Sequence, residues 1–463
     1  MKSSIDWYFC GILLATIAAL VAVWPSKAGS KEELKAIEEG RVVITYWDRH
    51  SGHEHDMRRQ LAAEFNNSQD KIYVRMLPVG FRYEKMLTAI ASGAPPDICS
   101  LDANSLILMG GQGCFMPLDD WLAEIPFLAK EKFHKHVYDS CTIDGKVYGI
   151  PTTIDTYCLI WNKELFRRAG LDPERPPQTI KELGEYAAKL TISDASGIQQ
   201  MGFLPWLPWD LTSLWLGFFG SEMYDPATGY ANVAHDPGAI AAYQWMSTFT
   251  IPPKEGPPPP YMVDRGHAQT FKAGFGAYMS GANAFYANKI AMITEGEWQV
   301  TFIPKYAPGL KWGVAPIPTP EGQEPRCYSP FPVVDAIPTG CKHPEEAKTF
   351  LKWFHTQRPD GRPSPASDYC YQIHNIPCRI EDCYQERFIG DEKFKVFVDQ
   401  LLTRPVTSLP NMPAVTFYTN EMDRFRDLVV NGEMTPEAAV VELEKSVNAE
   451  VDRIKTVIQG NKS

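Results

Sequence analysis

The chain has 463 residues, more than one hydrophobic core usually serves, so two lobes are expected and neither needs covalent staples to fold. Acidic residues outnumber basic ones, 56 to 45, and the resulting net charge of −11 argues against a nucleic-acid or anionic-membrane surface. Aromatic residues make up 12% of the chain, with 12 tryptophans, which is more large flat surface than core packing requires and points to a binding site.

Trp7 to Trp24 is an uncharged apolar run of about 18 residues, just long enough to cross a bilayer. Export is expected. The run is read as an uncleaved N-terminal membrane anchor, the alternative being a signal segment cut near Ser26-Lys27-Ala28. Residues 1–28 are assigned to it and 29–40 to a charged tether. Of the cysteines, Cys99, Cys114, Cys141, Cys158, Cys327, Cys341, Cys370, Cys378 and Cys383 follow the run, in a compartment where disulfides persist. Cys370, Cys378 and Cys383 lie together on a loop rich in Pro and Tyr and are expected to form a local disulfide. They lack CxxC spacing, which argues against structural zinc or redox chemistry.

Val42 to Trp47 is β-branched and aromatic throughout, as a strand covered on both faces should be, and Glu54 to Phe65 follows with helical spacing. Ile72 to Met76 reads as a second strand, Tyr83 to Ala91 as a helix ending at Gly93, and Asp97 to Leu101 as a third strand. This alternation predicts a parallel sheet wrapped by helices. Helices dominate Thr179 to Phe249, interrupted by the Trp- and Pro-rich run Leu204 to Asp210, and Pro252 to Pro260 is a stiff surface loop. Short strands return from Ile290 to Pro316, Pro344 to Phe354 is a helix, and Thr435 to Ile458 is a long amphipathic helix with proline in its first turn.

Asp144 to Pro151 followed by Trp161 to Leu171 reads as a turn, a buried strand and a capped helix ending at a glycine. These residues, with Pro176 to Thr179, resemble a segment of the family 1 extracellular solute-binding proteins of ABC importers, the group that contains the maltose-binding proteins. Ala89 to Ile98, Gly113 to Asp119, Lys289 to Met292, Gly296-Glu297-Trp298, Ala315 to Pro318 and Lys342 to Ala347 resemble further family segments in the same order. Trp161 stands where the family has tyrosine and Asn288 where it has glycine. The resemblance implies an α/β fold of the two-lobed periplasmic-binding-protein type (type II), each lobe a mainly parallel sheet flanked by helices and joined by a hinge. Lobe 1 is then expected over 41–152 and 319–355, and lobe 2 over 153–318 and 356–463.

A sugar offers hydroxyls at its edges and C–H patches on its faces, so its cleft needs aromatic platforms and planar hydrogen-bonding groups. Trp47, Asp48 and His50 stand at the carboxyl end of the first strand, and Asp102 and Asn104 after the third, where open α/β sheets bind ligands. The aspartates and Asn104 are equally able to cap the helices that follow. The resemblance places Asp155, with Tyr157 beside it, at the crossover between lobes, and Trp298 at a cleft tryptophan; a hinge and a core role are the respective alternatives. Trp209, with Trp206 behind it, lies on a proline-rich loop that has less reason to carry an apolar ring for packing. Tyr328 and Phe331 serve core or cleft equally well.

His50, His53 and His55 with Asp56 are close enough in sequence to test as a metal site, but i, i+2 imidazoles diverge on a helix, and no metal or cofactor is assigned. The resemblance implies capture of a solute outside the cytoplasm with ABC permease subunits as partners; the aromatic content favours a mono- or oligosaccharide, although the family also binds polyols, glycerol phosphates, polyamines and metal ions, and a monomer is expected. No catalytic residue is assigned. The competing readings are a secreted carbohydrate-active hydrolase using paired carboxylates such as Asp48 and Asp155, and a ligand-sensing ectodomain.

Overall fold

The computed structural model describes residues 30–80, 83–276 and 280–460. The apolar run Trp7 to Trp24 lies outside them, and no helix among the described residues is long and apolar enough to cross a membrane. The expected tether is instead structured. Lys31–Glu38 is a helix whose first turn is capped by the Ser30 hydroxyl, accepting from the Glu33 amide at 3.2 Å. It packs inward through Ala36, and Glu33 pairs with Arg75 at 2.9 Å. A charged sequence that buries Ala36 and pairs its buried Glu33 can therefore dock where pure solvation was expected.

In chain order the main strands are β1 (Val42–Asp48), β2 (Ile72–Pro78), β3 (Ile98–Asp102), β4 (Ile150–Ile154), β5 (Tyr157–Asn162), β6 (Met292–Gly296), β7 (Trp312–Ala315), β8 (Val333–Ala336) and β9 (Ile376–Pro377). The first sheet has the order β9-β4-β8-β3-β1-β2. β1 pairs in parallel with β2 and β3, whereas β8 runs antiparallel between β3 and β4.

The second sheet has the order β6-β5-β7, and here both pairings with β5 are antiparallel, unlike the mainly parallel sheet expected of each lobe. The direction follows from the hinge: β5 leaves the crossover while β6 and β7 run back toward it. β6 thus ends where β5 begins, with Gly296 opposite Tyr157. A parallel bridge from Met201 to Ile290 extends this sheet.

Asp155 and Thr156 carry the chain from the first sheet to the second, and the segment holding Tyr328 and Phe331 carries it back. Residues 365–377 pack with the first lobe, although 356–463 was assigned to the second. The helix Pro365–Ile373 lies against Gly52–Ser68, and β9 pairs with β4. The chain then returns, with the helix Glu392–Thr403 against β5 and β7.

The cysteine segment is not the loop that was expected, and the local disulfide is absent. Cys370 lies in the helix Pro365–Ile373 and Cys383 closes the helix Ile380–Cys383. Both, like Cys378, are buried free thiols. Cys370 donates to the Thr152 carbonyl at 3.4 Å and Cys383 to the Pro377 carbonyl at 3.2 Å, so they pack as small apolar residues with a weak donor.

Candidate functional site

β1 alternates strictly, with Ile44, Tyr46 and Asp48 buried and Thr45 and Trp47 less so. That alternation continues past its end and divides the residues expected in the cleft. Asp48 turns into the first lobe, fully buried, accepting from the His50 amide at 3.1 Å and meeting His55 Nδ1 at 3.0 Å. Arg58 lies 3.7 Å from Asp48 and 3.3 Å from Asp335, while Asp335 accepts from Thr152 and contacts His355 Nε2 at 2.8 Å. Burial pushes the Asp48 carboxyl up, but Arg58 and the hydrogen bonds from His50 and His55 more than reverse this and hold it well below the usual range. His50 is also buried, its ring 3.1 Å from the Tyr369 hydroxyl. Asp48 and His50 therefore belong to a buried charged network and do not face the cleft.

Trp47 and Arg49 take the other side of the strand. Trp47 is half-buried, with the Lys85 ammonium 5.0 Å from its ring centre. Arg49 pairs with Asp102 at 2.6 Å, and Tyr83 donates its hydroxyl to the same carboxylate. Burial disfavours the Arg49 charge, yet Asp102, Tyr83, Asp155 and Glu54 together raise its pKa. Asp102 occupies the cap position of the helix Ala103–Gly110 but makes no capping hydrogen bond; its oxygens serve Arg49 and Tyr83 instead. Asn104 accepts from the Ser105 amide and reaches Thr416 of the opposite lobe, Nδ2 to Oγ1 at 3.4 Å.

At the crossover, Asp155 accepts from Asn375 Nδ2 at 2.6 Å. The same amide nitrogen lies 3.2 Å from Glu297, whose other oxygen accepts from the Thr156 amide at 3.0 Å. Burial pushes the Asp155 carboxyl up against hydrogen bonding from Glu297 and the charge of Arg49. Glu297 is raised further, by burial and then by the Asp155 charge beside it.

Antiparallel pairing of β6 with β5 brings the aromatic candidates together. Trp298 meets Tyr157 edge-on, centroids 5.5 Å apart at 87°, and meets Trp209 at 6.4 Å and 90°. Tyr157 in turn contacts Tyr328 at 5.6 Å. Beneath them Glu295 is fully buried, and burial pushes its carboxyl up to about 7 despite hydrogen bonds from the Gly296 amide and the Trp209, Gln299 and Trp298 side chains. Trp206 is not part of this group; it is buried against Phe249 at 6.3 Å. A cavity of about 210 Å³ opens between the lobes, lined by His136 and Asp139 from one side and Tyr224, Arg326, Phe331 and Asn411 from the other.

Arg49, Tyr83, Glu295, Glu297 and Asn375 went unassigned in the sequence. For Arg49 the signal was present, since period-2 alternation puts it on the side of Trp47. Glu297 sits inside the Gly296-Glu297-Trp298 motif. Asn375 had no such signal, because β9 that positions it is a two-residue strand.

Two sheets joined by crossing segments, with polar and aromatic side chains converging where they cross, define the class of two-lobed solute-binding proteins. The model of the bacterial extracellular solute-binding protein family matches residues 59–357, and the chain belongs to that family. It is 26% identical over 302 residues to the sn-glycerol-3-phosphate-binding periplasmic protein UgpB of Brucella abortus, covering 62% of this chain and 64% of the relative. The chain thus spans about 64% of the length of the Brucella relatives it matches. UgpB of Agrobacterium fabrum is 26% identical over 337 residues, 67% of this chain and 69% of that one. Among solved structures, CpMnBP1 with mannotriose bound superposes with a TM-score of 0.77 at 28% identity, over 88% of this chain and 100% of that chain. The maltotriose-bound MalE domain of Bdellovibrio bacteriovorus shares the fold, with a TM-score of 0.67 at 18% identity, over 89% of this chain and 100% of that one.

Proposed function

We propose that this protein captures a mono- or oligosaccharide between its lobes, outside the cytoplasm, and hands it as a monomer to the permease of an ABC importer. The apolar run Trp7 to Trp24 holds it at the membrane in this reading. The observation that carries the proposal is the aromatic floor of Trp298, Trp209 and Tyr157, bordered by the hydrogen-bonding groups of Asp102, Asp155 and Asn375. Flat rings cover the C–H face of a pyranose while carboxylates and amides take its hydroxyls. Asp102 comes from one lobe and Trp298 from the other, so a ligand touching both favours the closed form, which is the condition for ligand-driven closure.

Catalysis is not part of the proposal. Asp48, which a hydrolase would pair with Asp155, is fully buried against His55 in the first lobe, whereas both carboxyls of a glycosidase pair must flank the sugar. Calorimetric titration with a panel of neutral saccharides tests the proposal. One of them should bind at one per chain and be recovered unchanged by chromatography; absence of binding across the panel, or turnover of the bound sugar, contradicts it.

A further inference from the structure

We infer that the carboxyl floor of Asp155, Glu297 and Glu295 is an anion filter, so that the cleft admits uncharged saccharides and turns away phosphorylated ones. This rests on the carbohydrate reading above and adds the class of ligand that is refused. A phosphate is held by guanidinium forks, ammonium groups or free backbone amides. Arg49, the cation whose charge bears on Asp155, is already paired with Asp102 at 2.6 Å, and the Lys85 ammonium lies over the Trp47 ring. The amides that point at the floor are engaged too, Thr156 with Glu297 and Gly296 with Glu295.

What the floor offers is acidic. Glu295 and Glu297 are fully buried, and the Asn375 amide bridges Glu297 to Asp155. Held by the Asn375 amide, the Asp155 carboxyl presents acceptors to which a sugar hydroxyl can donate. A dianion at the same place meets the carboxyls of the Asp155–Glu297 pair, while the nearby Arg49 is already matched by Asp102. Relatives that bind sn-glycerol 3-phosphate therefore share the family with this chain without sharing its ligand class.

The test is calorimetric titration of the full chain with mannobiose, mannose 6-phosphate and sn-glycerol 3-phosphate, repeated on Asp155→Asn/Glu297→Gln and on Asp102→Asn. The first variant removes both carboxyls of the crossover pair, and the second releases the Arg49 guanidinium. The Asp102 side chain is 24% exposed, so the second variant remains informative if the first does not fold. The wild-type chain is expected to bind the neutral disaccharide about 100-fold more tightly than either phosphate, and each folded variant to gain about tenfold or more in phosphate affinity. Equal or tighter binding of a phosphate by the wild-type chain overturns the filter, as does a phosphate affinity that neither variant changes. If no neutral sugar binds the wild-type chain while the variants gain phosphate binding, the carbohydrate reading falls and the filter stands.

Discussion

Arg49 and Asp102 meet at 2.6 Å across the ends of neighbouring parallel strands, and this pair fixes the polar edge of the cleft. With its charge matched by Asp102 and its neighbour Trp47 on the same side of the strand, Arg49 orients the carboxylate toward the space between the lobes. The aromatic floor lies opposite, on the second lobe.

Trp298 is the side chain whose loss should hurt binding most. Trp298→Ala is expected to weaken saccharide affinity by more than about tenfold. Removing a buried tryptophan also costs stability, about 3–5 kcal/mol for a full core position, so circular dichroism must show the variant folded. Trp298→Phe keeps a flat ring and should lose less. Unchanged affinity in Trp298→Ala by calorimetry removes this residue from the site.

The elements themselves were largely legible. Strand and helix boundaries from Val42 to Gly110 follow from the change between period 2 and period 3.6, and the Asn162 cap and Gly170 terminus mark the helix between them. The site was legible only in part. Of Trp298, Trp209 and Tyr157, all expected in the cleft, the first contacts the other two, whereas Asp48 and His50, expected beside them, are buried because proximity to a strand end was given more weight than the side of the strand they occupy. Asn375 and Glu295 are positioned by tertiary pairing, which has no local pattern.

Glu295 makes stability depend on pH. Its folded pKa of about 7 lies above the ordinary glutamate value, so the native state binds the extra proton and stability falls as pH rises from about 4.5 to 7, by roughly 3 kcal/mol, then levels off. Glu295→Gln should flatten this limb in urea titrations at pH 5 and pH 8. An identical pH slope in the variant shows that another group is responsible.

Asp48 and Asp335 act in the opposite sense. Their carboxyls are held below the usual range, so the stability they contribute is present above the unfolded-state value of about 4 and is lost as pH falls further. Arg58→Met strips both of their shared cation and should cost about 3–5 kcal/mol by chemical denaturation. A loss below 1 kcal/mol, about the worth of an exposed ion pair, contradicts the placement of Arg58 at the centre of a buried network.

The free thiols give a redox prediction. Because the cysteines from Cys99 to Cys383 are unpaired, dithiothreitol should leave the thermal unfolding midpoint unchanged. Among the cysteines of the described residues, only Cys341, the half-buried one, should react appreciably with a thiol reagent in the native state, and slowly, since burial pushes its thiol up to about 12. A midpoint that falls on reduction reveals a disulfide.

The central claim is that two lobes gain free energy by closing on an uncharged sugar. Its most direct test is small-angle scattering of the full chain with and without the tightest neutral saccharide from the calorimetric panel, using Trp298→Ala as the control. The account predicts a smaller radius of gyration with ligand in the wild-type chain and none of that contraction in the variant at the same ligand concentration. A radius that does not change at saturating ligand, or that contracts equally in the variant, contradicts it.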